Sequence, residues 1–339
     1  MNFNLNSGYG QLLAMQVAAS IGPNFGQVLV VVEDSDNQAV QDMLQEAFTP
    51  DPNGRVRFFR TLEAAYSAAT SNNNDVILLS AHSSHALSAG IAWTKNRIHV
   101  IGMDGGDRLV QQGTKVQSSA TDDTGYVLKV TGVRNSFRNI KFIQNSTDAA
   151  ALSVLQMGGE GNLYKNVSAV FGVVDNLDQT NAFEVINGED SGTFIDCTFG
   201  SDTLLTSAAR AVMSIDIVTT SQEFKSNIFR GCNFIISSSS STAAFIRLSA
   251  VGDILFTNIF DRCTMQASVD SAGGAALAEA VQTGTSTVKG TLNFAYPAVF
   301  NVTNFSTATS GRNTNVQVIG VSVAPNAGVD YVGVTPIAT

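Results

Sequence analysis

Six segments of the chain repeat one pattern of apolar and polar positions. An aromatic residue is followed by two residues, a small or apolar residue, one more residue, and an apolar residue. The segments are Phe137-Arg-Asn-Ile140-Lys-Phe142, Tyr164-Lys-Asn-Val167-Ser-Ala169, Phe194-Ile-Asp-Cys197-Thr-Phe199, Phe229-Arg-Gly-Cys232-Asn-Phe234, Phe260-Asp-Arg-Cys263-Thr-Met265 and Phe300-Asn-Val-Thr303-Asn-Phe305. Their anchors lie 27, 30, 35, 31 and 40 residues apart, a period typical of solenoids. In a strand, residues i and i+2 share a face, so the fourth and sixth positions point together and the aromatic points away. A bend just before the fourth position turns all three inward. That bend residue is Asn139, Asn166, Asp196 and Gly231 in the first four copies, the types that tolerate a left-handed backbone. Arg262 and Val302 break the rule, so the last two corners are expected to be built differently. The pattern predicts an all-β chain, a single-stranded parallel β-helix, right-handed by the rule for parallel crossovers.

Stacked coils place like residues over like. Cys197, Cys232 and Cys263 hold one motif position in three successive copies, which predicts a column of buried free thiols, with Val167 and Ile140 below and Thr303 above. The alternative is a three-thiolate metal site. Coils ~4.8 Å apart suit it poorly, because zinc draws its ligands to ~2.3 Å and no His joins the column. The polar run Ser237 to Thr242 and the Ala-, Gly- and Thr-rich run Ala272 to Thr287 read as loops bulging from the stack.

Upstream, residues 61–70 (TLEAAYSAAT) have helical period, with Leu62, Ala65, Tyr66 and Ala69 on one face and Thr61 as N-cap. Asn72 to Asn74 ends this element, Val76 to Leu79 reads as a buried strand, and Arg97 to Ile101 as the strand of an early coil. A solenoid needs its open end covered, so the helix is expected to cap it. Three regions follow: an acidic N-terminal arm over 1–54, the β-helix over 55–310, and a C-terminal segment over 311–339 that covers the far end or pairs with a neighbour. Seven or eight coils beyond the cap make a rod roughly 35 Å long at ~4.8 Å per coil.

Composition narrows the function. Charged residues are 14% of the chain, against about 25% in average soluble domains, so the surface is built from Ser, Thr, Asn, Gln and Gly. The net charge of −9 argues against a nucleic-acid partner. Glu33, Asp34, Asp36, Asp42, Glu46 and Asp51, with no Lys or Arg before residue 55, put −6 of it in the arm. That arm either docks on a partner or is a solvated extension. No apolar run approaches a membrane span, and Leu12 to Ile21 lacks the basic flank of a signal peptide. Three cysteines suit a reducing site of synthesis better than a disulfide framework.

No catalytic, metal or cofactor site is expected. His82 and His85 form His-x-x-His, but in a Ser-rich turn after a strand rather than on a helix. His99 reads as a packed strand residue. Asp122-Asp123 is the only adjacent pair of aspartates. β-Helical polysaccharide hydrolases use paired carboxylates, yet Asp122-Asp123-Thr-Gly125 reads first as a turn, as does Asp104-Gly-Gly-Asp107. Asp202, Asp216 and Asp253 share no register. Gly158-Gly-Glu-Gly161 lacks the strand-to-helix setting of a phosphate loop and reads as a turn. Trp93 is the single tryptophan, which weakens a sugar-binding reading. The sequons at Asn145, Asn166, Asn301 and Asn304 fall mostly inside the repeat, where a glycan would disrupt packing.

Thr61–Thr70 followed by Asp75–Leu79 resembles the cap and first strand of pectate-lyase-like β-helix proteins. Ser80–His85, Lys95–Gly106 and Gly132–Phe142 are similar to structural proteins of tailed bacteriophages with that fold, over roughly residues 55–310. The resemblance implies a non-enzymatic virion protein, a capsid decoration, cement or head-associated module. Its implied partners are a major capsid protein or other virion component, and itself, with a homotrimer favoured. It supplies no catalytic residues. The alternatives are a tailspike acting on host surface polysaccharide and a secreted bacterial adhesin.

Overall fold

The computed structural model describes residues 26–33, 42, 56–81, 83–104, 112–173, 181–185, 190–207, 210–215, 223–248, 254–269, 273–282, 290–306 and 316–320. The chain is a parallel β-solenoid. Along its first face, Asp75–Leu79, Ile98–Gly102, the first half of Ser136–Gln144, the first half of Leu163–Phe171, Thr193–Ile195, Ile228–Arg230, Thr257–Asp261, Thr291–Ala295 and Val316–Ile319 pair in that order, all parallel. A second face begins with Ser84–Ala86 and Lys115–Gln117. It continues through the second halves of the two long strands to Thr198–Thr206, Asn233–Ser238, Thr264–Ser268 and Ala298–Phe300. A third runs from Ile91–Trp93 through Leu128–Val130, Ser153–Met157, Asn181–Val185, Ala211–Ile215 and Ala244–Leu248 to Val281–Gln282.

Inward positions stack as the motif requires. Phe137, Tyr164, Phe194, Phe229, Phe260 and Phe294 form one column, with ring centroids 5.4, 4.7, 4.3, 4.6 and 4.6 Å apart and planes within 17°. Each such pair contributes about 0.5–1.5 kcal/mol beyond burial. The corner residues Asn139, Asn166, Asp196 and Gly231 all have φ between 51° and 62°.

Several expectations need correction. Arg262 keeps the same corner, at φ 51°, because its long side chain leaves the stack for solvent. The last motif copy is Phe294-Ala-Tyr-Pro-Ala-Val299, not Phe300–Phe305. Phe294 is in register with Phe260, and Val299 with Met265. Its corner is therefore Tyr296, at φ 51°, rather than Val302. Phe300 faces solvent, and Pro297, not Thr303, continues the cysteine column. The polar run is only partly a loop, since Ser237 and Ser238 are buried strand residues. Within 272–287, Leu277–Glu279 and Val281–Gln282 are strands, because Leu277 and Val281 anchor them in the core.

The arm boundary at residue 54 also fails. Val28–Val31 lies inside the first face, paired with both Val56–Phe59 and Asp75–Leu79, and is wholly buried. Its β-branched apolar run favours a central strand whatever the acidity around it. Most of the remaining arm, and residues 321–339, lie outside the described residues. The helix spans Leu62–Ala68, with the Thr61 hydroxyl accepting from Ala64 N at 3.2 Å. Lys95 Nζ donates to the Tyr66, Ser67 and Ala69 carbonyls at 2.7–2.8 Å, which satisfies the helix end and complements its dipole. Asp75, fully buried, accepts from Gln27 N, Asn73 Nδ2 and Thr70 N, tying the first strand to the helix and to the strand that follows.

Candidate functional site

The interior carries two polar columns among the apolar ones. Cys197, Cys232 and Cys263 are free, fully buried and in register. Their thiols reach the Tyr164, Phe194 and Phe229 carbonyls at 3.5–3.6 Å. Burial, and then hydrogen bonding with its two neighbour thiols, pushes the Cys232 thiol well above its ordinary range. This is packing chemistry, since a protonated thiol is a poor nucleophile and a poor ligand.

The second column was not anticipated from the sequence. Asn135, Asn162, Asn227 and Asn258 stand at one register position and are buried. Asn135 Oδ1 accepts from Ile98 N at 2.9 Å and Asn162 Oδ1 from Asn135 N at 2.8 Å. Asn227 Oδ1 accepts from Gly192 N at 2.7 Å. Asn258 Oδ1 accepts from Asn227 N and Nδ2, both at 3.0 Å. Each amide thus takes up a backbone N–H that the corner exposes. The signal was an Asn two residues before the aromatic anchor at Phe137, Tyr164, Phe229 and Phe260.

The candidate residues disperse. His85 lies in a strand, not a turn, and is buried with Nδ1 3.4 Å from Glu33 Oε1. Glu33 also accepts from Ala86 N, so this carboxylate belongs to the stack rather than to a solvated arm. His82, Asp107, Asp216 and Asp253 lie outside the described residues. His99 Nδ1 is 2.8 Å from Ser136 Oγ. Burial, and then the nearby Arg138 charge, lowers its pKa to about 4, so it is neutral at pH 7. Asp122 is buried in a turn, with Oδ1 accepting from Thr124 N and Oγ1, while Asp123 and Asp202 are exposed. Asp104 accepts from Gly113 N. Gly161, at φ 65°, turns the chain into the strand at Leu163. Trp93 is buried and stacks on Tyr66 at 4.1 Å. Of the sequon residues, Asn166 and Asn301 donate their amides to Asn139 Oδ1 and the Ala267 carbonyl. Among the described residues, no group of three or more His, Cys, Asp or Glu is arranged to hold a metal.

Outside the rod, one cluster stands apart. Arg230 and Asp261 are register partners on the first face. Asp261 binds Arg230 Nε through Oδ2 at 3.2 Å and Arg262 Nε through Oδ1 at 3.5 Å. One carboxylate thereby fixes two guanidiniums whose side chains remain 61% and 76% exposed. Tyr296 lies one coil above Arg262, with its ring against Gly320, and is 62% exposed. At the opposite edge of the face is Phe256, 66% exposed. Both aromatics have φ 51°, a strained conformation for a bulky residue.

No protein family matches the chain, and no curated protein is similar to it. Among solved structures, it is similar to a deglycosylated pectin methylesterase from Aspergillus niger at 11% identity, over 90% of this chain and 97% of that one, with a TM-score of 0.48. It is similar to pectate lyase Pel9A at 14% identity, over 94% and 82%, with a TM-score of 0.48. ORF18 of Geobacillus virus E2 matches at 12% identity, over 71% and 58%, with a TM-score of 0.26. At such identities no activity carries across, and the β-solenoid assignment stands on the strand register itself.

Proposed function

We propose that this chain is a non-enzymatic structural protein of a bacteriophage virion, a stiff rod that decorates or cements the head. The observation that supports this best is the unbroken column of aromatic rings from Phe137 to Phe294. Together with the thiol and asparagine columns, it commits the repeat's inward positions to coil-on-coil packing, which makes a rigid spacer. The weakly charged outer surface and the phage-like stretches around Ser80–His85, Lys95–Gly106 and Gly132–Phe142 agree with this role. The partner in this reading is the major capsid protein or another virion component, and the chain itself assembles as a homotrimer in the virion.

Mass spectrometry of purified particles tests this, with copy number measured against the major shell protein. Hundreds of copies per particle is the expected result. A handful would move the chain to a tail or vertex, and absence would remove it from the virion. Turnover of host capsular polysaccharide in a reducing-sugar assay would overturn the non-enzymatic reading in favour of a tailspike.

A further inference from the structure

We infer that the corner at Tyr296, with the flank on each side of it in the last coils, is the surface through which copies of this chain bind one another. The inference rests on the homotrimer reading above and names the surface that reading needs. Of the seven large apolar side chains exposed among the described residues, six lie between Phe256 and Ile319, so the exposure belongs to one end of the rod. Tyr296 is the apex. Phe256, Ile259 and Ile319 stand on or beside the first face, and Val269 and Phe300 on or beside the second. The rows next to this corner change character at the same height. On the first face, apart from Ile195, the outward row is charged from Arg138 to Asp261 and ends on Ala295 and Ile319. On the second, it starts at Lys141, runs through Ser, Thr and Asn, and ends on Ala298, two residues before Phe300.

Charge selects a second copy as the occupant. The chain carries a net charge of −9, so copies repel one another and meet most readily where both partners are uncharged. Both flanks of this corner meet that condition at the last coils, and the Asp261 charge at their border is already paired with Arg230. A ring adds a second requirement. In a cyclic trimer the contact is heterologous, so each copy must offer two different surfaces, one to each neighbour. A corner does this by construction. The first-face flank of one rod meets the second-face flank of the next, with the Tyr296 rings toward the axis. At roughly 150–200 Å² per side chain, the exposed parts of the six add up to about 500 Å², a scale that marks a protein contact rather than scattered surface residues. Thr257, Asn293, Gln317, Thr264 and Gln266 lie among them, the uncharged polar rim of such a contact. Tyr296 holds φ 51° with most of its ring in solvent, so packing within one rod does not account for it, and strain of this kind collects at binding positions.

Light scattering on the full chain across a dilution series tests it. The unaltered chain should have three times the chain mass. Tyr296→Asn at the apex, Ile319→Thr on the first flank and Phe300→Ser on the second should each raise the concentration at which the assembly dissociates, about tenfold or more. Tyr296→Asn separates contact from folding, because Asn suits the left-handed corner, and its melting temperature in the dissociated state should stay level or rise. Leu152→Ser, at the exposed apolar residue far from this corner, should leave the assembly intact. A single-chain mass for the unaltered protein would overturn the homotrimer reading and this surface with it. A trimer that persists unchanged in all three corner variants would overturn this surface alone, as would equal dissociation by Leu152→Ser.

Discussion

Replacing Asn227 by Ala probes what holds the corners closed. In the folded chain Asn227 Oδ1 is the acceptor for the buried Gly192 N–H at 2.7 Å, and Nδ2 donates to Asn258 Oδ1 at 3.0 Å. Alanine leaves Gly192 N–H without that acceptor, at about 1–3 kcal/mol, and deletes a further hydrogen bond of about 1 kcal/mol. Asn258 Oδ1 keeps its bond from Asn227 N, so that coil is spared. The expected loss is about 2–4 kcal/mol, which at 1.4 kcal/mol per decade is roughly thirty- to several-hundredfold in the local opening constant. Amide exchange over residues 190–196, read by mass spectrometry, should show this acceleration, while residues 75–102 stay protected, because solenoid coils couple mainly to their neighbours. Asn227→Asp keeps the acceptor but sets an oxygen against Asn258 Oδ1 and buries a charge. It should be worse than alanine at pH 7 and recover in acid, where the protonated carboxyl donates. Exchange at 190–196 unchanged in Asn227→Ala would refute the reasoning.

Three further outcomes follow from the same geometry. His99, with a folded pKa of about 4 against 6.5 unfolded, binds fewer protons folded than unfolded. Stability should therefore fall as pH drops from about 6.5 to 4, by an amount on the order of 2 kcal/mol after allowance for its partial exposure, and His99→Gln should flatten the melting profile across that window. None of the three thiols should react with a disulfide reagent in the native chain, and all three should react in denaturant; fast native labelling would contradict their burial. Lys95→Met removes the donor to three helix carbonyls and should cost about 1–2 kcal/mol, seen as faster exchange confined to residues 62–70.

Much of the rod was legible because its information is periodic. Aromatic anchors, inward parity and left-handed corners at Asn139, Asn166, Asp196 and Gly231 repeat often enough to be read. The thiol column followed from position alone. What was misread lay where the period slipped. Phe300 imitates an anchor six residues past the true one at Phe294, and chain spacing alone cannot distinguish them until stacking selects the ring that reaches Phe260. The Val28 strand was hidden by the acidic residues around it and by its out-of-order insertion between Val56–Phe59 and Asp75–Leu79, which no local pattern encodes. The Arg230–Asp261–Arg262 cluster was invisible for a related reason. Arg230 and Asp261 are 31 residues apart in sequence and become neighbours only through the register. The asparagine column, by contrast, is legible as an Asn two residues before four of the aromatic anchors, although Gly192 interrupts it at the coil of Phe194.

Register is the central claim, and oxidative cross-linking tests it most directly. Arg230 and Asp261 are Cα partners on adjacent coils, and Ala295 lies one coil further on. Coils ~4.8 Å apart place the first pair within disulfide reach and put Arg230 and Ala295 ~10 Å apart, beyond it. The double variant Arg230→Cys with Asp261→Cys should close a disulfide on mild oxidation, found by peptide mapping, and Arg230→Cys with Ala295→Cys should not. Equal cross-linking in both variants, or none in the first, would contradict a stack of parallel coils in this register.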